Sequence, residues 1–162
     1  MLHEPCHPRN PRIRTSVKSY NRSVAAPYEI LEHTADVGLR ARGASPAELF
    51  ENAAAGMMEI AVDPAGVAER EQKAVAAEGP DREALLVNFL QEILWLVDGE
   101  GWLPRRVAVR EISDTGVSAA VFGEPRDPAR HNLRMIIKAV TYHQLSVRET
   151  PQGWSAEVYW DV

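Results

Sequence analysis

A strongly apolar helix, predicted over residues 81–98, constrains the fold more than any other feature of this sequence. Asp81 is a typical N-cap residue, and Gly99 follows the segment as its expected stop. The apolar stripe widens toward the C-terminal half, so the helix must pack broadly against a sheet. The apolar set is Leu85, Leu86, Phe89, Leu90, Ile93, Leu94, Trp95, Leu96 and Val97.

Another helix, predicted over residues 45–61, carries several agreeing start signals. Ser45 suits the N-cap, Pro46 suits the first helical position, and Glu48 completes a capping box. Apolar residues then recur at helical spacing as far as about Ala61. They are Leu49, Ala53, Met57 and Ile60.

The remaining segments read as antiparallel strands joined by turns. Residues 114–116 and 151–153 are hairpin-type turn sequences, and the apolar residues of 133–143 fall on both faces, as in a central strand. The predicted strands are 28–33, 37–42, 67–77, 105–112, 117–123, 133–143, 144–149 and 154–161. We therefore predict an α+β two-layer sandwich with a mostly antiparallel sheet and two main helices, formed as a single domain by residues 27–162.

The charge of the 162-residue chain is unevenly distributed. Residues 1–26 hold five basic residues and one acidic residue, whereas 27–162 hold 13 basic and 22 acidic residues, a net charge of −9. The first segment is rich in Pro, Arg and Ser, so we predict a disordered basic N-terminal arm. Its His3, Cys6 and His7 are metal-ligand types, but a solvated tail is the favoured interpretation.

Composition also limits the class of protein. The acidic balance argues against direct nucleic-acid binding through bulk charge. No apolar run is long enough to span a bilayer, and the single cysteine fits a reducing compartment. We therefore expect a cytoplasmic protein without a membrane partner.

The residues that could carry chemistry are carboxylates, because P-loop, G-x-G-x-x-G, G-x-S-x-G and H-E-x-x-H motifs are absent from the sequence. If Asp36 lies opposite Asp161 in an antiparallel pair, Arg40 falls opposite Glu157, a favourable charge pair. That register would bring Asp36, Asp161 and the carboxylate of the final residue, Val162, to one corner. Such oxygens suit Ca²⁺, Mg²⁺ or Mn²⁺ better than zinc. The alternative is a turn residue beside a solvated chain end.

Three further residues have open roles. Lys138 either extends its ammonium to the sheet margin or forms an ion pair at a working surface. His33 and His143 are each either hydrogen-bonded structural histidines or ligands. No residue stands out as a nucleophile, since Cys6 lies in the arm.

Several motifs, in this order, resemble the archease family: His33-Thr34-Ala35-Asp36 after a short strand, Gly123-Glu124 in a turn, Ile137-Lys138-Ala139-Val140-Thr141-Tyr142-His143, and a final Asp161-Val162. The resemblance spans about residues 27–162; the arm inherits nothing from it. It implies a small α+β accessory protein, not an enzyme, that assists the RtcB-type RNA ligase of tRNA splicing and RNA repair. That ligase uses GTP and Mn²⁺ and passes through a guanylylated histidine.

The resemblance also implies a divalent-metal site, assigned to calcium in some members, with Mn²⁺ or Mg²⁺ as alternatives. By motif position its ligands would be Asp36, Asp161 and Val162, with Lys138 as a functional residue. An alternative role known in the family is a chaperone-like modulator of a tRNA cytosine-5 methyltransferase. A metal-dependent phosphohydrolase is a third, less favoured function, because no general base is visible beyond the ligands.

Overall fold

The computed structural model describes residues 26–32 and 36–162, except for the side chain of Glu32. Its elements are β1 (Tyr28–Glu32), β2 (Asp36–Gly43), α1 (Pro46–Ala61), a 3₁₀ turn (Pro64–Gly66), β3 (Glu71–Glu78), α2 (Arg82–Asp98), β4 (Trp102–Ile112), β5 (Gly116–Pro125), β6 (Ala139–Thr150) and β7 (Gly153–Asp161). The predicted arm, apart from Ala26, lies outside the described residues, as do His3, Cys6, His7 and His33.

The described strands form two antiparallel sheets. One has the order β1-β2-β7-β6 and the other the order β3-β5-β4. Helix α1 contacts β2 and β4, and helix α2 contacts β3 and β6, so each helix touches both sheets. The α+β class, the antiparallel pairing and the two main helices are confirmed, and the division into two sheets is an addition to the prediction.

Both helices begin at the residues that the capping signals indicate. The Ser45 hydroxyl accepts the Glu48 N–H at 3.2 Å, and the Glu48 carboxylate accepts the Ala44 N–H at 3.1 Å. In α2, Asp81 accepts the Ala84 N–H at 2.8 Å. Since these contacts satisfy donors that a helix start leaves unpaired, the local residues determine where both helices start.

The helices supply most of the core because both are buried over a wide arc. Phe50 of α1 and Phe89 of α2 are fully buried, with ring centroids 5.5 Å apart. Each helix packs against apolar side chains of both sheets. Its apolar face is therefore wider than that of a helix that packs against a single sheet. No helix in the described ranges is long and apolar enough to cross a membrane.

The prediction of a central strand over 133–143 is wrong. Only Leu133 forms an isolated bridge, with Val62; residues 134–138 lie outside any strand, and the following strand, β6, is an edge strand. The reason is that the N–H groups of Arg134 and Met135 both point to the carbonyl of Ala61 at the end of α1. This segment therefore caps a helix before it joins a sheet.

Several other boundaries differ from the prediction: the strand predicted at 67–77 is β3, which begins at Glu71, and the one predicted at 105–112 is β4, which begins at Trp102. The strands expected at 133–143 and 144–149 meet in one strand, β6, which begins at Ala139 and has an irregularity between Thr141 and Ser146 and a positive φ of 51° at Gln144. Gly123-Glu124, expected in a turn, lies within β5. A Cβ atom at Gly123 would lie 2.0 Å from the Leu103 carbonyl oxygen, so close strand packing, and not a turn, requires glycine here.

A carboxylate pair at the end of the four-stranded sheet

The register predicted from the charge pattern is the one observed between β2 and β7. Asp36 lies opposite Asp161, and Arg40 lies opposite Glu157. The Arg40 Nε donates to the Glu157 carboxylate at 2.9 Å, and this contact raises the pKa of Arg40. Because directly opposed residues of an antiparallel pair share a face, the two aspartates project from the same side of the sheet.

The backbone around Asp161 is held from both sides. Asp161 pairs with Asp36 of β2 and with Ala139 of β6, and its carbonyl accepts the Lys138 N–H at 2.8 Å. The side chain of Val162 packs against the core, which fixes the residue that follows. Asp161 is therefore a well-positioned residue, although it stands next to the last residue of the sequence.

The donor set fits a hard divalent cation. Asp36 is half-buried and Asp161 is exposed, so the pair lies where solvent and a cation can reach it. Within the described ranges, no group of three or more His, Cys, Asp or Glu side chains is placed to hold a metal ion, here or elsewhere. The two opposed aspartates offer carboxylate oxygens, the donor type that suits Ca²⁺, Mn²⁺ or Mg²⁺ with water completing the coordination.

Lys138 reaches this corner through its backbone, while its side chain is exposed. His143 is also exposed and stands edge-on to the ring of Tyr159, with 6.2 Å between ring centroids. Tyr159 in turn covers Gly38, where a Cβ atom would lie 2.6 Å from the tyrosine ring. The backbone of Lys138 thus lies beside the backbone of Asp161, and His143 lies farther along β6.

A buried ionic cluster around Glu124 has no local signal in the sequence. This carboxylate is buried and accepts the Ala68 N–H at 3.0 Å, with Arg130 at 2.9 Å and His131 Nε2 at 2.8 Å. These hydrogen bonds, led by the one from Ala68, outweigh burial and lower the pKa of Glu124 to about 2. Its partners lie on two segments, one nearby at Arg130 and His131 and one distant in sequence at Ala68, so only the folded chain reveals the cluster.

The cluster fastens the loop that leads toward Lys138. His131 Nδ1 accepts the Asp127 N–H at 2.7 Å, so the ring proton is on Nε2, which donates to Glu124. Arg70, just before β3, adds a second guanidinium at 3.1 Å from the Glu124 carboxylate. We interpret these residues as a structural latch.

A cleft of about 690 Å³ opens at the other end of the sheet, far from the aspartates. Its lining includes Arg40, Arg42 and Trp154. The two guanidinium groups already face Glu157 and Glu29, at 2.5 Å for Arg40 and 3.7 Å for Arg42. Because its cations are engaged, we do not assign the cleft a ligand.

Comparison with known proteins gives a consistent result. The sequence profile of the archease protein family (MTH1598/TM1083) matches residues 28–162. The chain is 37% identical to protein archease of Pyrococcus abyssi over 139 residues, which cover 83% of this chain and 98% of that protein. It is 40% identical to protein archease of Thermococcus gammatolerans over 134 residues, covering 80% and 94% of the two chains.

Solved structures agree with the sequence comparison. The solution structure of Methanobacterium thermoautotrophicum protein 1598 superposes with a TM-score of 0.71 at 30% identity, covering 84% of this chain and 99% of that one. The crystal structure of a Thermotoga maritima archease, described as a possible chaperone, has a TM-score of 0.54 at 24% identity, covering 83% and 96%, and shares the fold. The family profile and these relatives together establish that this chain belongs to the archease family.

Proposed function

We propose that this protein activates the GTP- and Mn²⁺-dependent RtcB-type RNA ligase of tRNA splicing and RNA repair, as an accessory protein without catalytic residues of its own. The observation that carries the proposal is the direct opposition of Asp36 and Asp161 at one end of the sheet. In a member of the archease family, that pair and the Val162 carboxylate are the expected ligands of a divalent cation. We propose Ca²⁺ as the resident ion, with Mn²⁺ or Mg²⁺ as alternatives, and the cytoplasm as the place of action.

The proposed role follows from charge. Guanylylation of the ligase histidine brings a triphosphate, metal ions and the incoming histidine together in a crowded site, where the placement of each charge affects the barrier. A cation held by Asp36 and Asp161 would supply positive charge there. We propose that the exposed Lys138, whose backbone N–H donates to the Asp161 carbonyl, contacts a phosphate or an acidic group of the partner there.

The test is a guanylylation assay with the ligase from the same source. Asp36→Asn and Asp161→Asn remove the charge with little change in side-chain volume, and we expect each to lower maximal stimulation of guanylylation at least tenfold. Asp114→Asn is the matched control, since this exposed aspartate lies in the β4–β5 turn and contacts only Arg82 among the ion pairs of the described residues. Full stimulation by folded Asp36→Asn and Asp161→Asn variants would refute the metal-site proposal.

A second candidate is a chaperone-like modulator of a tRNA cytosine-5 methyltransferase. The observation that favours it is the exposure of large apolar side chains, such as Trp95 and Ile136. This function requires a protein-binding surface and no cation. It therefore predicts that the two Asp→Asn variants suppress methyltransferase aggregation as well as the wild type does.

A further inference from the structure

Large apolar side chains are concentrated near the carboxylate pair. Five such side chains are exposed in the described part of the chain: Ile30, Trp95, Met135, Ile136 and Tyr142. Ile136 is the most exposed of them, at 72%, whereas its neighbour Ile137 is buried at 2%. Contiguous apolar surface on a protein typically marks an interaction site.

Met135 and Ile136 are held firmly although they lie outside the strands. The Met135 N–H points to the Ala61 carbonyl at 3.4 Å, and the Lys138 N–H donates to the Asp161 carbonyl at 2.8 Å. The segment is therefore fixed at both ends, and the buried Ile137 anchors its middle. Ile136 is consequently presented to solvent by a fixed backbone, within two residues of Lys138.

Helix α2 adds Trp95 to the same end of the molecule. Its first residue, Arg82, stacks on Trp154, and the Gln91 side chain reaches the Val140 N–H at 3.5 Å, so the helix runs antiparallel to β6. Trp95 lies one turn beyond Gln91 on the same helix face, which places it beside the segment that enters β6. Tyr142, 61% exposed, follows two residues after Val140 on that edge strand.

The charges at this end define the partner. Asp36 and Asp161 face outward here, and helices α1 and α2 both end here without a basic residue in their last turns. Two cations also lie on this segment: Arg134 donates to the Glu59 carbonyl at 3.2 Å and faces Asp63 at 3.6 Å, and Lys138 is exposed. The last turn of α2 has no basic residue. The negative helix end and the aspartates favour a positively charged partner.

We infer that Trp95, Met135, Ile136 and Tyr142 form the docking surface, here called the apolar rim, that seats this protein on the ligase. The complementary ligase surface is an apolar recess bordered by the basic groups that bind RNA and triphosphate. The inference rests on the proposed function and adds the element that provides affinity. Apolar contacts at the centre of an interface dominate the free energy of binding. In this proposal the apolar rim provides the affinity, and the carboxylates of Asp36 and Asp161 provide the effect on guanylylation.

The experiment separates affinity from maximal effect. Ile136→Ser and, as a second variant, Tyr142→Ser are titrated against the ligase, and guanylylation is followed at each concentration. We expect the concentration for half-maximal stimulation to rise at least tenfold, because an apolar side chain is removed from the interface, while the maximum is unchanged. Ile30→Ser is the matched control, since Ile30 is also exposed but lies on β1, at the other edge of the sheet.

Each outcome is decisive. If the wild type stimulates the ligase and both rim variants behave like Ile30→Ser, the docking surface is wrong and the proposed function stands. If the wild type neither binds nor stimulates the ligase, the proposed function fails and the docking inference fails with it. If the wild type is a dimer that Ile136→Ser dissociates without any effect on the ligase, the rim binds a second copy and the inference is overturned.

Discussion

Replacing Gly38 with alanine should disturb both the stability of this protein and its proposed metal site. A Cβ atom at this position would lie 2.6 Å from Cε1 and 2.9 Å from Cδ1 of Tyr159, about 1 Å closer than carbon atoms normally approach. Tyr159 is only 6% exposed, so its ring is not free to swing into solvent. The φ angle of Gly38 is not in the left-handed region, so the cost is purely one of space.

The magnitude follows from the cost of overpacking. An extra methyl group in a packed site typically costs about 1–3 kcal/mol. For a protein of this size each kcal/mol lowers Tm by roughly 2–4 °C, which gives a decrease of about 2–12 °C. Because Gly38 and Tyr159 lie opposite each other, two residues from Asp36 and Asp161 respectively, the same displacement should weaken Ca²⁺ binding.

The assay is urea unfolding of Gly38→Ala together with calorimetric titration of Ca²⁺. Gly116→Ala is the control, since its Cβ would meet only the Ser113 hydroxyl at an ordinary 3.6 Å. Replacing both Gly38 and Tyr159, as Gly38→Ala with Tyr159→Leu, should restore part of the loss, because the leucine lacks the ring that the methyl group meets. Unchanged stability and Ca²⁺ affinity in Gly38→Ala would show that the tyrosine ring does not lie over this glycine.

Two further predictions concern the pH dependence of stability. The folded-state pKa of Glu124 is lowered from 4.5 to about 2, so its stabilising contribution is present above pH 4.5 and is lost as the pH falls toward 2. Glu124→Gln should therefore be less stable at neutral pH, and its free energy of unfolding in urea should fall less than that of the wild type as the pH is lowered from 4.5 toward 2. The same pH dependence in both proteins would contradict the role of Glu124 in the structural latch. Burial, together with the hydrogen bond to Glu59, raises the pKa of Tyr28 to about 12. The stabilising contribution of the protonated Tyr28 is complete below pH 10 and is lost between pH 10 and 12. The free energy of unfolding of Tyr28→Phe should therefore fall less than that of the wild type over this range. Tyrosinate absorbance of the variant should show one tyrosine fewer that titrates above pH 10.

The sequence was sufficient to predict the starts of both helices and the pairing of β2 with β7, because these features depend on neighbouring residues or on one pair of strands. Ser45 and Asp81 cap their helices with their own side chains, so both starts could be read from the chain. The register of β2 on β7 was also predictable, because Arg40 and Glu157 select one alignment of two alternating strands. Once that alignment is chosen, the opposition of Asp36 and Asp161 follows from the pleat.

Features that depend on a distant partner could not be predicted. Residues 133–138 carry a strand-like apolar pattern, but the end of α1 takes the N–H groups of Arg134 and Met135, and nothing near them in sequence announces this. The burial of Glu124 is similar, since it needs Ala68 from one segment and His131 from another. In both cases tertiary contacts override the local sequence pattern. The Glu124 cluster and residues 133–138 together determine where the backbone of Lys138 lies.

The placement of the two proposed functional elements explains why they should be separable. Asp36 and Asp161 stand on β2 and β7, the interior strands of the four-stranded sheet; Asp161 pairs with strands on both sides, and Asp36 pairs with Asp161. Ile136 lies on a segment outside the strands, whose backbone bonds to the sheet at Lys138 and to the end of α1 at Arg134 and Met135. A change at Ile136 therefore leaves the strand pairing of the aspartates intact. Loss of affinity without loss of maximal effect is the behaviour that this architecture requires.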